Sequence, residues 1–220
     1  MPDLPFRDRV HAGQLLAERL KAYAGGRDVV ILALPRGGVP VAREIATRLN
    51  APLDVFLVRK LGTPGQEELA MGAIAPGGVR VLNDDVVQSL RLSRQVIDAV
   101  AATEAKELAR RERLYRAGRP PTDVAGRIVI LVDDGLATGS TMRAAVKALR
   151  GAKPKRIIAA VPVAAPAACS QMAGEVDELV CLHAPDLFYS VGSWYEDFSQ
   201  TSDVEIREAL TAEKVQNATR

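Results

Sequence analysis

Two adjacent carboxylates followed by a loop of small and hydroxylated residues are the strongest chemical signal in the chain. They lie in Ile128–Met142, where an aliphatic run ends in Asp133 and Asp134 and is followed by Gly135, Leu136, Ala137, Thr138, Gly139, Ser140 and Thr141. Paired acids can grip the hydroxyls of a polyol or a hydrated metal. Hydroxyls and free backbone N–H groups at a helix N-terminus suit a phosphate. The elements that must position them can be read from the same residues. Five β-favouring residues in a row, Ile128–Val132, predict a strand buried on both faces, as in a parallel sheet. Ser140 and Thr141 ahead of Met142–Leu149 predict a helix start. The acids then sit at the carboxyl edge of the sheet, where open α/β sheets bind ligands. A plain strand–turn–helix whose acids only cap the helix needs one Asp or Ser, not the whole ordered set.

Three other segments carry candidate chemistry. The loop Leu34–Pro40 holds Arg36, Gly37 and Gly38. Its glycines permit close backbone approach, and Arg36 can fork onto phosphate oxygens, although Gly-Gly turns are common on any protein. Arg59 and Lys60 end the next strand, at the start of a Gly/Pro-rich stretch running to Asn83 with little periodicity, except for a short strand candidate at Val79–Leu82. Such a stretch inside a compact domain is usually functional or mobile. It contains Glu67 and Glu68, for which solvation is the simplest role. Finally, five of the nine aromatic residues fall in the eleven positions 188–198. They could stack on a flat heterocycle or form a hydrophobic plug under the C-terminal helix, and the residues alone do not choose between these.

Helical and apolar segments alternate along the chain, with strands at Val29–Leu34, Leu53–Val58, Ile128–Val132, Lys155–Val163 and Val176–Leu182, and helices between them. This predicts an α/β fold with a mainly parallel sheet flanked by helices. Asp84–Gly118 reads as a helical insertion with a break near Arg91–Ser93. Its charge-rich second part, with Arg110, Arg111, Arg113 and Arg116, is interleaved with acids and lacks aromatics, so a solvated or partner-facing helix is expected rather than a nucleic-acid surface. The 220 residues and net charge of +2 fit a single α/β domain with no global pull toward nucleic acid or membrane. Cys169 and Cys181 are isolated, His11 and His183 lack ligand spacing, and no signal-like or membrane-spanning run is present, so a reduced cytoplasmic protein is expected.

The order aliphatic run, Asp133-Asp134, spacer, Thr138-Gly139-Ser140-Thr141 resembles the phosphoribosyl pyrophosphate (PRPP) signature of the type I phosphoribosyltransferases. The resemblance implies a Mg²⁺-dependent glycosyltransferase of nucleotide metabolism that moves ribose-5-phosphate from PRPP to a nitrogenous base or related small acceptor, releasing pyrophosphate. Asp133 and Asp134 would hold the ribose hydroxyls and Mg²⁺, the ion through water. Gly135 and Ala137 to Thr141 would cradle the 5′-phosphate. Arg36, Gly37 and Gly38 would grip pyrophosphate, together with Arg59 and Lys60, and Lys60, Arg59 and Asp134 would carry catalysis. The resemblance further implies a single domain over 1–220, a mobile catalytic loop over 59–83, the insertion over 84–119 and a hood over 184–203. In that hood Phe188, Tyr189 or Trp194 would meet the base, with Tyr195, Glu196 and Asp197 at its rim. A homodimer is compatible with this picture. Ala137 stands where the 6-oxopurine branch typically has an Asp, as in the adenine branch, which weakens hypoxanthine or guanine as acceptor. The insertion is foreign to the adenine branch, so the acceptor stays open. The same fold also serves regulators that bind PRPP or nucleotides without catalysis, and this is the alternative reading.

Overall fold

The computed structural model describes the backbone of residues 5–116 and 118–218, and their side chains apart from positions 68 and 212–218. In chain order the strands are β1 (Val29–Ala33), β2 (Leu53–Val55), β3 (Arg59–Thr63), β4 (Gln66–Ala75), β5 (Val79–Leu82), β6 (Ile128–Val132), β7 (Arg156–Val163) and β8 (Glu178–His183). The helices are α1 (Arg9–Arg19), α2 (Gly38–Leu49), α3 (Asp84–Ser89), α4 (Arg94–Arg116), α5 (Ser140–Gly151), α6 (Pro166–Ala173) and α7 (Asp203–Ala218). Five strands form a parallel sheet in the order β2-β1-β6-β7-β8.

The aliphatic runs are strands because they are covered on both faces. Successive side chains alternate between faces. Ile31, Ala33, Ile130, Val132, Ile158 and Ala160 join one apolar cluster with residues of α1, α2 and α7. Val30, Leu32, Val129, Leu131, Ile157 and Ala159 join another with Met142, Ala145, Val146 and Leu149 of α5. The latter four repeat at helical spacing, so Ser140, Arg143 and Lys147 lie on the other side of α5, toward β4 and β5.

The stretch from Arg59 to Asn83 keeps the expected strand at Val79–Leu82 but is otherwise not the expected irregular loop. It folds as a three-stranded antiparallel sheet, β3-β4-β5. Its glycines punctuate turns: Gly65, Gly77 and Gly78 take positive φ between the strands. Gly72 allows close pairing, since a Cβ there would lie 2.4 Å from the Val81 carbonyl oxygen. Small residues and a bulge near Gly62 hide the two-residue period from the sequence.

The insertion is broken where expected, with Arg91 at φ 48° between α3 and α4. Helix α4 is more than a solvated helix. Ile97, Ala101, Leu108 and Tyr115 are buried in the main core. Arg116, 4% exposed, reaches Asp54 in the middle of β2. Its Nε donates to Asp54 Oδ1 at 3.2 Å, Nη1 to Glu112 at 2.6 Å, and Nη2 to the Val55 carbonyl at 2.8 Å. Arg110 and Arg111 both donate to Glu107 and hold its carboxyl down to about 2. Arg110, Arg111 and Arg116 are therefore engaged within the protein itself. Arg116→Met would strand Asp54 in the interior, and urea unfolding at neutral pH should show a loss of about 3–5 kcal/mol. A loss below about 1 kcal/mol would mean that the pair does not hold α4 to the sheet.

Candidate functional site

In an all-parallel sheet the carboxyl ends of the strands share one edge. Here the chain passes from β1 outward to β2, then returns to β6 on the opposite side of β1. The switch point is thus between β1 and β6, the place where such sheets open a crevice for ligands. The loop Leu34–Gly37 leaves β1 there, and Asp133–Gly139 leaves β6 there. The Pro35–Arg36 peptide is cis.

The two loops interlock. A Cβ on Gly38 would lie 2.6 Å from the Val132 carbonyl oxygen, and one on Gly37 would lie 1.9 Å from Asp134 Oδ2. The close approach permitted by these glycines is therefore made to the acid loop. Asp134 is turned into the space beside Gly37, where Arg9 meets it: Nε and Nη2 both lie 2.8 Å from its Oδ2. The Tyr195 hydroxyl donates to the Asp134 carbonyl oxygen at 2.6 Å. Asp133 instead lines a cavity of about 170 Å³, and its Oδ1 accepts the Asp134 N–H at 2.9 Å. Burial and the adjacent Asp134 charge push the Asp133 carboxyl well above the usual carboxylate range. Burial also raises Asp134, with Arg9 opposing the rise.

The rest of that cavity is Gly135 to Met142, Val191 and Lys60. Gly139, in the left-handed region at φ 69°, opens α5, so Ser140 and Thr141 stand in its first turn. Thr138 Oγ1 and Ser140 Oγ are 3.1 Å apart. Lys60 and Ser140 also line a second cavity of about 530 Å³, bounded by β4, β5, Asp84, Asp85, Arg143 and Lys147. The other charged residues of the expected site are placed differently. Arg59 is committed to α4, its Nε at 2.7 Å and Nη2 at 2.6 Å from Glu104. Arg36 is exposed, with its charge felt at Tyr115, whose hydroxyl burial and Asp203 raise to about 12. Glu67 accepts from Gly65 N–H within its own turn, and the Glu68 side chain lies outside the described residues.

The aromatic cluster divides. Trp194 packs edge-on to His183, with ring centroids 4.8 Å apart. Tyr195 is buried with Phe6, and Phe188, Val191 and Trp194 pack around them. This part is a hydrophobic plug. Tyr189 is 86% exposed and is free to meet a ligand. Val191, not an aromatic ring, lines the small cavity, held close by Gly135, where a Cβ would lie 2.5 Å from it. Glu196 and Asp197 donate backbone N–H groups to the carbonyls of Phe6 and Arg7, so the chain start braces the hood.

Arg9 and Glu104, which pair with two residues of the expected site, are not revealed by the sequence. Arg9 and Glu104 lie 125 and 45 residues from the groups they pair with, and each sits on an ordinary polar helix face, so no local pattern marks them.

A family model described as a phosphoribosyl transferase domain matches residues 9–183. The chain is 50% identical over 201 residues to a Mycobacterium tuberculosis (strain ATCC 25618 / H37Rv) protein named "Putative phosphoribosyl transferase Rv0571c", covering 91% of this chain and 45% of that one. It thus spans under half the length of that relative. It is 36% identical over 124 residues to "Bifunctional protein PyrR" of Roseiflexus sp. (strain RS-1), covering 55% of this chain and 62% of the relative. Among solved structures, TT1426 from Thermus thermophilus superposes with a TM-score of 0.85 at 42% identity, covering 94% of this chain and 98% of that one.

Proposed function

The chain belongs to the phosphoribosyl transferase family, and from that premise we propose that it transfers ribose-5-phosphate from PRPP to a nitrogenous base or related acceptor, with pyrophosphate leaving. The observation that carries this reading is the shared cavity at the switch point, where Asp133, the Gly135–Thr141 loop and Lys60 meet. The loop's N–H groups and hydroxyls receive the 5′-phosphate at the positive end of α5. Asp133 accepts hydrogen bonds from the ribose hydroxyls, and Asp134 supports it from behind. Lys60 offsets the charge that develops on pyrophosphate as the glycosidic bond breaks. Arg36 and the Gly37–Gly38 turn flank the same edge, and Arg59 joins them if it leaves Glu104. The β3–β5 sheet, which delivers Lys60, serves as the lid that shields a ribosyl cation from water. Tyr189, exposed and two residues from the cavity-lining Val191, would cover the acceptor.

Among the described residues no group of three or more His, Cys, Asp or Glu side chains is gathered to hold a metal. The acid pair fits Mg²⁺ of the kind that stays mostly bound to phosphate oxygens and water. Asp133, an acid with raised proton affinity facing the cavity, would hold it through water, and the ion would supply charge neutralisation on pyrophosphate. No helix among the described residues is long and apolar enough to cross a membrane.

The test is pyrophosphate release from PRPP with Mg²⁺ across a panel of nitrogenous acceptors. Release that depends on one acceptor is the expected result. Tight PRPP binding with no turnover on any acceptor would overturn the enzyme reading and leave the non-catalytic regulator in its place.

A further inference from the structure

Arg9 joins three parts of the site that are far apart in the chain. Its Nε and Nη2 converge on Asp134 Oδ2, each at 2.8 Å. Its Nη1 donates to the Ser199 carbonyl oxygen of the hood at 2.7 Å. Its guanidinium lies over the Phe198 ring, 3.9 Å from the centroid. The bare Cα of Gly37 gives the pair its room, since a Cβ there would lie 3.2 Å from Arg9 Nε as well as against Asp134. Both partners are largely withdrawn from solvent, with side chains 11% and 15% exposed. A planar fork held by a carboxylate, a carbonyl and an aromatic face has little freedom left.

This arrangement settles which acid faces the cavity. Asp133 and Asp134 are neighbours, and Asp133 Oδ1 accepts the Asp134 backbone N–H at 2.9 Å, so the placement of one bears on the other. With Asp134 clamped beside Gly37, Asp133 points into the space bounded by the phosphate loop and Lys60. Without the clamp, the Asp134 carboxylate has two options. It can stay buried without a cation, which is costly, or it can rotate toward the cavity and crowd Asp133. We propose that Arg9 is a positioning residue for the PRPP site: by holding Asp134 under the Gly37 turn and against the hood, it presents Asp133 to the ribose. The proposal rests on the phosphoribosyltransferase reading, and it extends that site to a side chain from the first helix.

The experiment measures PRPP affinity in the presence of Mg²⁺ for the full chain, for Arg9→Met, Arg9→Lys and Asp134→Asn, and for the Arg9→Met/Asp134→Asn double variant. Thermal unfolding is recorded in parallel. Arg9→Met should weaken PRPP binding by roughly tenfold or more. Arg9→Lys keeps the charge but loses the hood contacts, and should fall between. In the Asp134→Asn background, Arg9→Met should change affinity by less than about twofold, because a residue acting only through another shows no separate effect once the other is gone. A purely structural role would lower the melting temperature and leave PRPP affinity, measured well below the transition, at the unmodified value. That result, or a full loss persisting in the Asp134→Asn background, would overturn the proposal. Failure of the unmodified chain to bind PRPP would instead overturn the functional reading on its own.

Discussion

Asp133→Asn should unfold at a higher temperature than the unmodified protein at pH 7, while its PRPP turnover falls to background. The two effects have one cause. Asp133 faces the cavity proposed for PRPP, and burial beside Asp134 makes its ionised form unfavourable. A carboxyl whose folded pKa is raised binds its proton more tightly in the native state than in the unfolded chain. Stability then falls as pH climbs from the unfolded value, about 3.9, through the raised native one. Above that window the protein carries the full cost of a desolvated charge. Asparagine never carries it, and still offers an Oδ1 to the Asp134 N–H, the bond seen at 2.9 Å. The gain in melting temperature should therefore be largest at neutral pH and shrink as pH drops toward 4, where both proteins are neutral at this position. A gain independent of pH, or a loss at pH 7, would show that Asp133 is not strained by its charge. Functional residues commonly destabilise the fold that holds them.

Asp134→Asn should gain less. Burial raises its carboxyl too, but Arg9 opposes that rise, and the substitution leaves Arg9 partly buried without its counterion. Its melting temperature at pH 7 should therefore lie below that of Asp133→Asn. Two adjacent aspartates, indistinguishable as letters in a motif, thus separate into an acid under strain and an acid in an ion pair.

That separation marks how far the residues could be read without coordinates. The parallel sheet was legible because Val29–Ala33, Ile128–Val132 and Arg156–Val163 are aliphatic on both faces, a pattern that only a doubly covered strand tolerates. The strand–loop–helix segment around Asp133 was legible because its pattern is local: strand, acids, small residues and helix start lie within fifteen positions. Of the β3–β5 sheet only β5 was, as the strand Val79–Leu82; β3 and β4 were not, since these Ala- and Gly-rich strands bury few large side chains and carry a bulge. Nor were the partners of the charges. A motif lists Arg59 and Asp134 as ligands of the substrate, but Glu104 and Arg9 reach them from helices distant in sequence. Pairing over such separations is decided by how helices pack, which no short window contains. The aromatic cluster was ambiguous for a related reason: stacking on a ligand and packing on Phe6 need the same residue types, and the fold assigns Trp194 and Tyr195 to packing while leaving Tyr189 in solvent.

Replacing Lys60 by Ala should cost about 10²–10³ in kcat, the size typical for loss of one charge-stabilising group aimed at a transition state. The comparison with its neighbour explains the choice. Arg59 makes two short contacts to Glu104 and would have to give them up to reach pyrophosphate. Lys60 already lines both cavities, with Asp133 and the phosphate loop in one and Arg143 and Lys147 in the other. Strand alternation puts adjacent residues on opposite faces of the sheet, so Lys60 faces the cavity from β3 while Arg59 must leave Glu104 to reach it. Charge on pyrophosphate grows as the bond to ribose breaks, and a cation at that end acts more on the transition state than on bound PRPP. The loss should therefore appear in kcat, with the KM for PRPP changing less, because Asp133 and the loop still hold the donor. Lys60 is exposed on a strand whose register is set by Arg59–Ile74 and Leu61–Gly72 pairing, so its truncation should move stability by no more than about 0.5 kcal/mol. A Lys60→Ala protein with unchanged kcat would remove this side chain from the chemistry. A rise in KM alone would make it a binding group for ground-state phosphate. Arg59→Ala, by contrast, should disturb the contact between β3 and α4 before it disturbs the rate.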